Sequence, residues 1–279
     1  MLVCIPYNGE NPPDVHCGDT ITGKDTTSTA GEHAAKVAKP RRMGTRLIVA
    51  LDVPTFEKAR HLVDTLGDLD LTFKVGYEAF YGYGEALVPL LERRGVSYML
   101  DLKLHDIPRT VHAAVRAVTR PGVTILTVHA LGGAEMLAAA VEAAEERAAE
   151  LKIPAPGVFA ITILTSIAPE DLNELGLAGG PGENAIRLGA LARDARCAGA
   201  VCSVAEVGDL KSFFGAEFAA LCPGIRPGGA THGDQKRVAT PREAQEAGAD
   251  YIVVGRPIVA DADPAGAARA ILLELGVPA

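Results

Sequence analysis

Two acids and a lysine interrupt an otherwise apolar segment, LDLKLHDIP, at residues 100–108. Asp101 and Lys103 are two positions apart, so in a β-strand their side chains leave the same face and become neighbours. Asp106 follows on a loop, from which it turns toward this site or toward a second subunit. A lysine ammonium fixed between carboxylates can stabilise developing negative charge and then deliver a proton. An internal ion pair of purely structural value is the alternative.

A long glycine-rich segment, PGIRPGGATHGDQKRVATP, covers residues 223–241 and offers a second kind of chemistry. It contains Arg226 and Gln235, and the apolar segment that follows ends in VVGRP, with Gly255 and Arg256. Backbone N–H groups of such loops, together with an arginine fork, hold phosphate groups. The combination predicts a phosphate site, and the alternative is an exposed loop with incidental charge.

The elements that position these residues follow a regular alternation from Arg46 onward. Short apolar or β-branched segments alternate with amphipathic or alanine-rich ones, which predicts an α/β protein. Eight strand–helix units favour a parallel sheet closed into a (β/α)8 TIM barrel, a single domain over residues 45–279. An open, doubly wound sheet is the alternative, although no GxGxxG follows the first strand. The predicted strands cover residues 46–52, 71–76, 97–104, 123–130, 157–165, 199–204, 218–224 and 250–258.

Polar residues recur at the carboxyl ends of these strands, where a barrel places its catalytic groups. The series comprises Asp52, Lys74, Asp101, Lys103, His129, Thr165, Gly255 and Arg256. Recurrence at one end predicts a single shared site. For His129, contact with a substrate and a hydrogen-bonded core imidazole are both open interpretations. Tyr77, Tyr81 and Tyr83 are expected in helix packing or on an interface.

Composition and charge exclude several classes of protein. The 279 residues carry a formal net charge of −8 and show no basic stripe, so nucleic acid is not an expected partner. No apolar run reaches the roughly 18 residues that a membrane-spanning helix needs, and the N-terminus lacks the pattern of a secretory signal. The absence of a CxxC pair favours a reducing cytoplasm over a disulfide framework or a zinc site. The five cysteines are Cys4, Cys17, Cys197, Cys202 and Cys222.

Residues 1–44 differ from the rest of the chain. They are rich in Gly, Pro, Thr, Asp and Asn and lack sustained periodicity. This composition predicts a disordered extension, with a tail packed on the barrel exterior as the alternative. Met43 is a candidate for the true start of translation.

The motif D-x-K-x-x-D in LDLKLHDIP, with ALD, FKVG, LTS, PGIRP and VVGRPI, resembles the orotidine 5′-phosphate decarboxylase family in its bacterial form. The resemblance spans about residues 46–275. It implies a (β/α)8 barrel and a homodimer with active sites shared at the subunit interface. It also implies conversion of orotidine 5′-phosphate to uridine 5′-phosphate and CO2, the last step of de novo pyrimidine nucleotide synthesis. Neither a metal nor an organic cofactor is implied.

The resemblance also implies a role for each matching residue. Lys103 is the implied proton donor, Asp101 lies beside the substrate carboxylate, and Asp106 reaches into the partner subunit's site. The implied contacts with substrate are ribose hydroxyls for Asp52 and Lys74, the pyrimidine ring for Thr165, phosphate for Arg226, Gln235, Gly255 and Arg256, and further contacts for Ile107 and Thr110.

Two other functions compete with this one. A related metal-dependent branch, which includes hexulose-phosphate synthase and ketogulonate-phosphate decarboxylase, shares the D-x-K-x-x-D motif. In that branch a glutamate at the position of Lys74 helps to bind magnesium, whereas a lysine repels a cation. The second alternative is a catalytically silent barrel that binds a nucleotide as a sensor or scaffold. Retention of Asp101, Lys103 and Asp106 disfavours it.

Overall fold

The sheet of this protein is a closed barrel of eight parallel strands, each hydrogen-bonded to the next and β8 to β1. The computed structural model describes residues 44–227 and 238–278. The strands are β1 (Arg46–Ala50), β2 (Thr72–Val75), β3 (Tyr98–Leu104), β4 (Val123–His129), β5 (Gly157–Ile161), β6 (Gly199–Val201), β7 (Ala219–Cys222) and β8 (Tyr251–Val254). The predicted barrel is therefore confirmed, and the open sheet is excluded.

Helices connect successive strands and pack around the outside of the barrel. They are α1 (Phe56–Leu66), α2 (Tyr77–Arg94), α3 (Pro108–Val118), α4 (Gly133–Leu151), α5 (Pro169–Glu174), α6 (Pro181–Asp194), α7 (Val204–Phe214), α8 (Pro241–Ala247), α9 (Arg256–Val259) and α10 (Pro264–Glu274). Local sequence explains their ends. The Thr240 hydroxyl accepts a hydrogen bond from the amide of Glu243, Pro241 occupies the first turn, and Gly248 ends α8 with φ 91°.

Two apolar layers stabilise the barrel. The larger lies between the strands and the helices, and includes Leu47, Leu100 and Leu126. The smaller fills the barrel interior, where Ile48, Met99 and other side chains alternate in direction with those of the outer layer. Because the interior is filled, the space for a ligand lies at the end of the barrel rather than through it.

The predicted strands were correct in position but too long at several ends. β5 ends at Ile161 and β8 at Val254, because the apolar residues beyond them belong to loops and a short helix. None of the described helices is long and apolar enough to cross a membrane. The predicted extension over residues 1–44 lies outside the described residues except for Gly44, and so does Met43.

Candidate active site

A cavity of about 500 Å³ opens at the carboxyl ends of the barrel strands. Its apolar wall includes Met99, Ile161, Val201 and Leu221. The polar residues that the sequence predicts for the site and that line this cavity are Asp52, Lys74, Asp101, Lys103, Thr165, Arg226, Gly255 and Arg256. The structure therefore brings together eight residues from β2 and β3 and from the segments that follow β1, β5, β7 and β8.

Carboxylates and ammonium groups alternate along one side of the cavity. Lys74 Nζ lies 3.0 Å from Asp52 Oδ2 and 3.4 Å from Asp101 Oδ2. Lys103 Nζ lies 2.8 Å from the same Asp101 oxygen. The four residues, from Asp52 to Lys103, form a charge array in which each ammonium has a carboxylate neighbour. The register of the barrel produces it, because Ala50 of β1 pairs with Lys74 of β2 and so brings Asp52 beside it.

Asp101 is the most highly connected member of the charge array. Burial is the largest single effect and raises the pKa of this carboxyl group, but Lys74, Lys103 and the Thr127 hydroxyl together lower that pKa by more. The net pKa of Asp101 lies below its ordinary value. The carboxylate is therefore charged near neutral pH, and it is held in a site where its side chain is only 11% exposed.

The backbone at Lys103 departs from a regular strand. Leu100 pairs with Leu126 and Leu104 pairs with Val128, so β3 carries two more residues than β4 between these points. Lys103 lies in this bulge with φ 43°, in the left-handed region that residues with a side chain rarely adopt. The predicted proximity of Asp101 and Lys103 is confirmed, but the expected regular alternation is wrong. A bulge aims the lysine instead.

Side chains near Lys103 complete its surroundings. Its Nζ lies 5.2 Å from the centre of the Tyr77 ring, within the range of a cation–π contact. Tyr77 and Tyr81 lie on α2 and are 46% and 76% exposed, whereas the Tyr83 hydroxyl donates to the carbonyl of Val53. Of the two expectations for these tyrosines, Tyr83 fits helix packing and the other two present aromatic surface.

Two arginines bring positive charge to the cavity from β7 and β8. Arg226 follows β7, and its amide donates to the carbonyl of Ala239 at 2.9 Å. Arg256 opens α9 directly after Gly255, which follows β8. Gln235, the remaining predicted phosphate ligand, lies outside the described residues. The two arginines can bind an anionic group by charge-assisted hydrogen bonds.

Three predicted residues do not line the cavity. Asp106, Ile107 and Thr110 are exposed at the beginning of α3, and the Asp106 carboxylate accepts a hydrogen bond from the amide of Ile107 at 2.7 Å. The apolar side chain of Ile107 is 63% exposed. The second acid of the D-x-K-x-x-D motif is thus exposed and lies outside the cavity lining.

His129 stacks on His105, with ring centres 5.3 Å apart. Burial, with smaller effects from His105 and Lys103, lowers the pKa of His129 to about 4. Its Nδ1 accepts a hydrogen bond from the amide of Leu131. The ring does not line the cavity, so the structure supports the hydrogen-bonded imidazole of the two interpretations.

Sequence reasoning missed two residues that contact the charge array. Thr127 donates to Asp101 from β4, and Gly76 precedes α2 beside Asp52 and Lys74. A buried threonine inside the apolar segment VTILTVHA was the available signal for the first. For Gly76 the signal was a glycine two positions after Lys74, at the end of a predicted strand.

Metal ligands and thiols are the remaining candidates for chemistry in the described ranges. No group of three His, Cys, Asp or Glu side chains there could hold a metal ion. The described cysteines, Cys197, Cys202 and Cys222, are buried free thiols, and Cys4 and Cys17 lie outside these ranges.

The closed barrel and the charge array at the carboxyl ends of its strands define a class, the (β/α)8-barrel enzymes with a charged site at that end. The family model described as "Orotidine 5'-phosphate decarboxylase / HUMPS family" matches residues 45–271. The chain belongs to this family.

Individual relatives agree with the family match. A curated orotidine 5′-phosphate decarboxylase of Moorella thermoacetica is 47% identical over 231 residues, which is 82% of this chain and 92% of that protein. One of Sodalis glossinidius is 46% identical over 236 residues, 85% of this chain and 92% of that protein. The crystal structure of orotidine 5′-phosphate decarboxylase from Lactobacillus acidophilus superposes with a TM-score of 0.73 at 36% identity, covering 84% of this chain and all of that one.

Proposed function

We propose that this chain is a carboxy-lyase that converts orotidine 5′-phosphate to uridine 5′-phosphate and CO2 in de novo pyrimidine synthesis. The observation that carries the proposal is the charge array Asp52–Lys74–Asp101–Lys103, which lies in one cavity with Arg226 and Arg256. The relatives that carry this name match the chain over most of its length.

The chemistry requires an organised positive charge beside one carbon atom. When the bond from C6 to the carboxylate breaks, its electron pair stays on C6, and no adjacent carbonyl delocalises it as an enolate. The Lys103 ammonium, held 2.8 Å from Asp101, stabilises this carbanion and then donates a proton to C6. Asp101 faces the substrate carboxylate, and their repulsion is relieved when CO2 leaves. No metal and no organic cofactor takes part in these steps.

The proposed binding contacts form two groups, one for the ribose and pyrimidine ring and one for the phosphate. Asp52 and Lys74 hold ribose hydroxyls, and Thr165 hydrogen-bonds the pyrimidine ring. Arg226, Arg256 and the Gly255 N–H bind the phosphate, together with Gln235. Because the phosphate is remote from C6, its binding energy serves to order the reacting groups.

We also propose that the active unit is a homodimer in the cytoplasm. Asp106 is exposed and does not line the cavity of its own chain, and its neighbour Ile107 is 63% exposed. In a symmetric dimer, Asp106, Ile107 and Thr110 contact the substrate of the partner, and the exposed Tyr77 and Tyr81 are covered. Apolar and aromatic surface of this kind is typical of subunit interfaces.

The metal-dependent branch of the family is the second candidate. It is disfavoured because Lys74 Nζ lies between the carboxylates of Asp52 and Asp101, where a divalent cation would be repelled. A silent nucleotide-binding barrel is disfavoured because every member of the D-x-K-x-x-D motif is present.

The test follows the loss of orotidine 5′-phosphate absorbance with wild type, Lys103→Ala and the matched control Lys58→Ala, which replaces an exposed lysine of α1. Each protein is assayed with and without EDTA. The expected result is activity that survives EDTA in wild type and control and is lost in Lys103→Ala. An inactive, folded wild type would refute the proposal, and activity that EDTA abolishes would favour the metal-dependent branch.

Shared sites are tested by mixing two variants, Lys103→Ala and Asp106→Ala. If Asp106 acts in the partner's site, each mixed dimer contains one site with both changes and one intact site. Random exchange of subunits then restores about one quarter of wild-type activity. A mixture as inactive as its components would show that Asp106 does not act across the interface.

A further inference from the structure

Thr127 hydrogen-bonds both residues that the proposed reaction places next to C6. Its hydroxyl accepts from the backbone amide of Lys103 at 2.9 Å and donates to Asp101 Oδ1 at 3.0 Å. Thr127 lies on β4, is 1% exposed and is not among the residues that line the cavity. Donor and acceptor capacities of the hydroxyl are therefore both used, and neither is used on a substrate.

These bonds close a ring of interactions. From the Lys103 amide the ring passes through the Thr127 hydroxyl to one oxygen of Asp101, and from the other Asp101 oxygen back to Lys103 Nζ at 2.8 Å. Lys103 is thus fixed at its backbone and at its ammonium, and Asp101 at both carboxylate oxygens. A side chain held at both ends has little freedom to swing away from the reacting carbon.

The bulge in β3 explains why the ring is needed. Between Leu100 and Leu104 the regular pairing with β4 is interrupted, so the strand ladder does not fix the backbone of Lys103. Its φ of 43° is a conformation that costs free energy and persists only where the surroundings over-determine it. The hydrogen bond that the Lys103 amide donates to the Thr127 hydroxyl supplies such a constraint.

We propose that Thr127 is a positioning residue for the decarboxylation, holding the Asp101 carboxylate and the Lys103 backbone in the geometry that places the ammonium at C6. The inference rests on the proposed function, because it assigns Thr127 to that same reaction. A displacement of about 1 Å at a reacting group lowers rates by about 100-fold. Removal of the hydroxyl should therefore lower kcat by roughly 10- to 100-fold, while KM changes less because Thr127 touches no substrate.

Three substitutions and a matched control separate positioning from fold maintenance. Thr127→Val keeps the shape and removes the hydroxyl, and Thr127→Ser keeps the hydroxyl. Thr127→Ala repeats the deletion with a smaller side chain, should the valine variant fail to fold. The control is Thr162→Val: Thr162 is also 1% exposed, donates one hydrogen bond to the carbonyl of Val201 at 2.9 Å, and does not line the cavity.

Kinetic constants for orotidine 5′-phosphate and melting temperatures are measured for all five proteins. The expected result is a loss of kcat in Thr127→Val and Thr127→Ala, rescue to within about threefold of wild type in Thr127→Ser, and wild-type kcat in Thr162→Val. Equal kcat values in Thr127→Val and Thr162→Val, or a Thr127→Ser protein as slow as Thr127→Val, would overturn this inference but not the proposed function. An inactive wild type would overturn the proposed function and this inference with it.

Discussion

Gly76 should tolerate alanine in the fold but not in the reaction. It precedes α2 with φ −91° and ψ −172°, an extended conformation open to any residue. A Cβ at this position would lie 2.7 Å from Asp52 Oδ1 and 2.8 Å from Lys74 Nζ. Space for the charge array, rather than backbone conformation, therefore explains the glycine.

The expected magnitudes follow from these distances. Non-bonded heavy atoms separate by about 3.5 Å, so the carboxylate and the ammonium must each retreat by roughly 0.7 Å. Misplacement on this scale should lower kcat/KM by roughly 10- to 100-fold. The free energy of unfolding should change by less than about 1 kcal/mol, because the reduced freedom of the unfolded chain offsets the poorer helix cap.

Gly180→Ala is the matched control for Gly76→Ala. Gly180 also precedes a helix, with φ −83° and ψ 172°, and a Cβ there meets nothing within 4 Å. Urea unfolding and steady-state kinetics on orotidine 5′-phosphate are measured for both variants. A Gly76→Ala protein with wild-type kcat/KM would refute the reasoning, and so would equal losses of activity in the two variants.

Three further predictions concern other parts of the chain. Arg256→Ala should lower kcat/KM for orotidine 5′-phosphate by about 10- to 150-fold but leave that for orotidine, which lacks the phosphate, nearly unchanged; equal losses would exclude a phosphate contact. The pKa of His129 is lowered to about 4, so on acidification the unfolded chain binds this proton at a higher pH than the folded protein does. The contribution of His129 to the free energy of unfolding is therefore fully present above about pH 6.5 and is lost as the pH falls from 6.5 to 4. The full shift corresponds to about 3 kcal/mol, which partial exposure reduces to about 1 to 2 kcal/mol; His129→Gln should flatten urea stability across this range, whereas a change at the exposed His61 should not. Lys211→Met should lower the free energy of unfolding by about 1 to 3 kcal/mol, because Lys211 holds Asp250 and two carbonyls at the end of the barrel remote from the cavity, and kcat of the folded protein should stay at the wild-type value.

Regular alternation of apolar segments was enough to predict the barrel, since eight strands of this kind have few other arrangements. Polar residues that follow such segments were equally visible, and Asp101 and Lys103 could be paired because they are close in sequence. The contact between Asp52 and Lys74 spans 22 positions. It follows only from the observed register of β1 on β2.

Three features escaped prediction for physical reasons. The bulge at Lys103 depends on how β3 meets β4, which no local propensity specifies. Thr127 resembles any β-branched strand residue until its hydroxyl is seen beside Asp101. Gly76 resembles an ordinary turn glycine. Its backbone conformation is open to any residue, and the glycine is needed because a Cβ would lie too close to Asp52 and Lys74.

Lys103 has a left-handed backbone conformation, so a substitution that would increase stability at this position would also remove a residue proposed for catalysis. With φ 43°, a residue with a side chain costs about 1 to 2 kcal/mol there relative to glycine. Substitution by a residue that adopts the local backbone conformation at a lower cost in free energy is a common route to thermostable variants. Selection of a library of this protein for heat resistance alone would therefore favour replacement of Lys103, the lysine that we propose as the proton donor. Such a selection needs a growth requirement for the product alongside it.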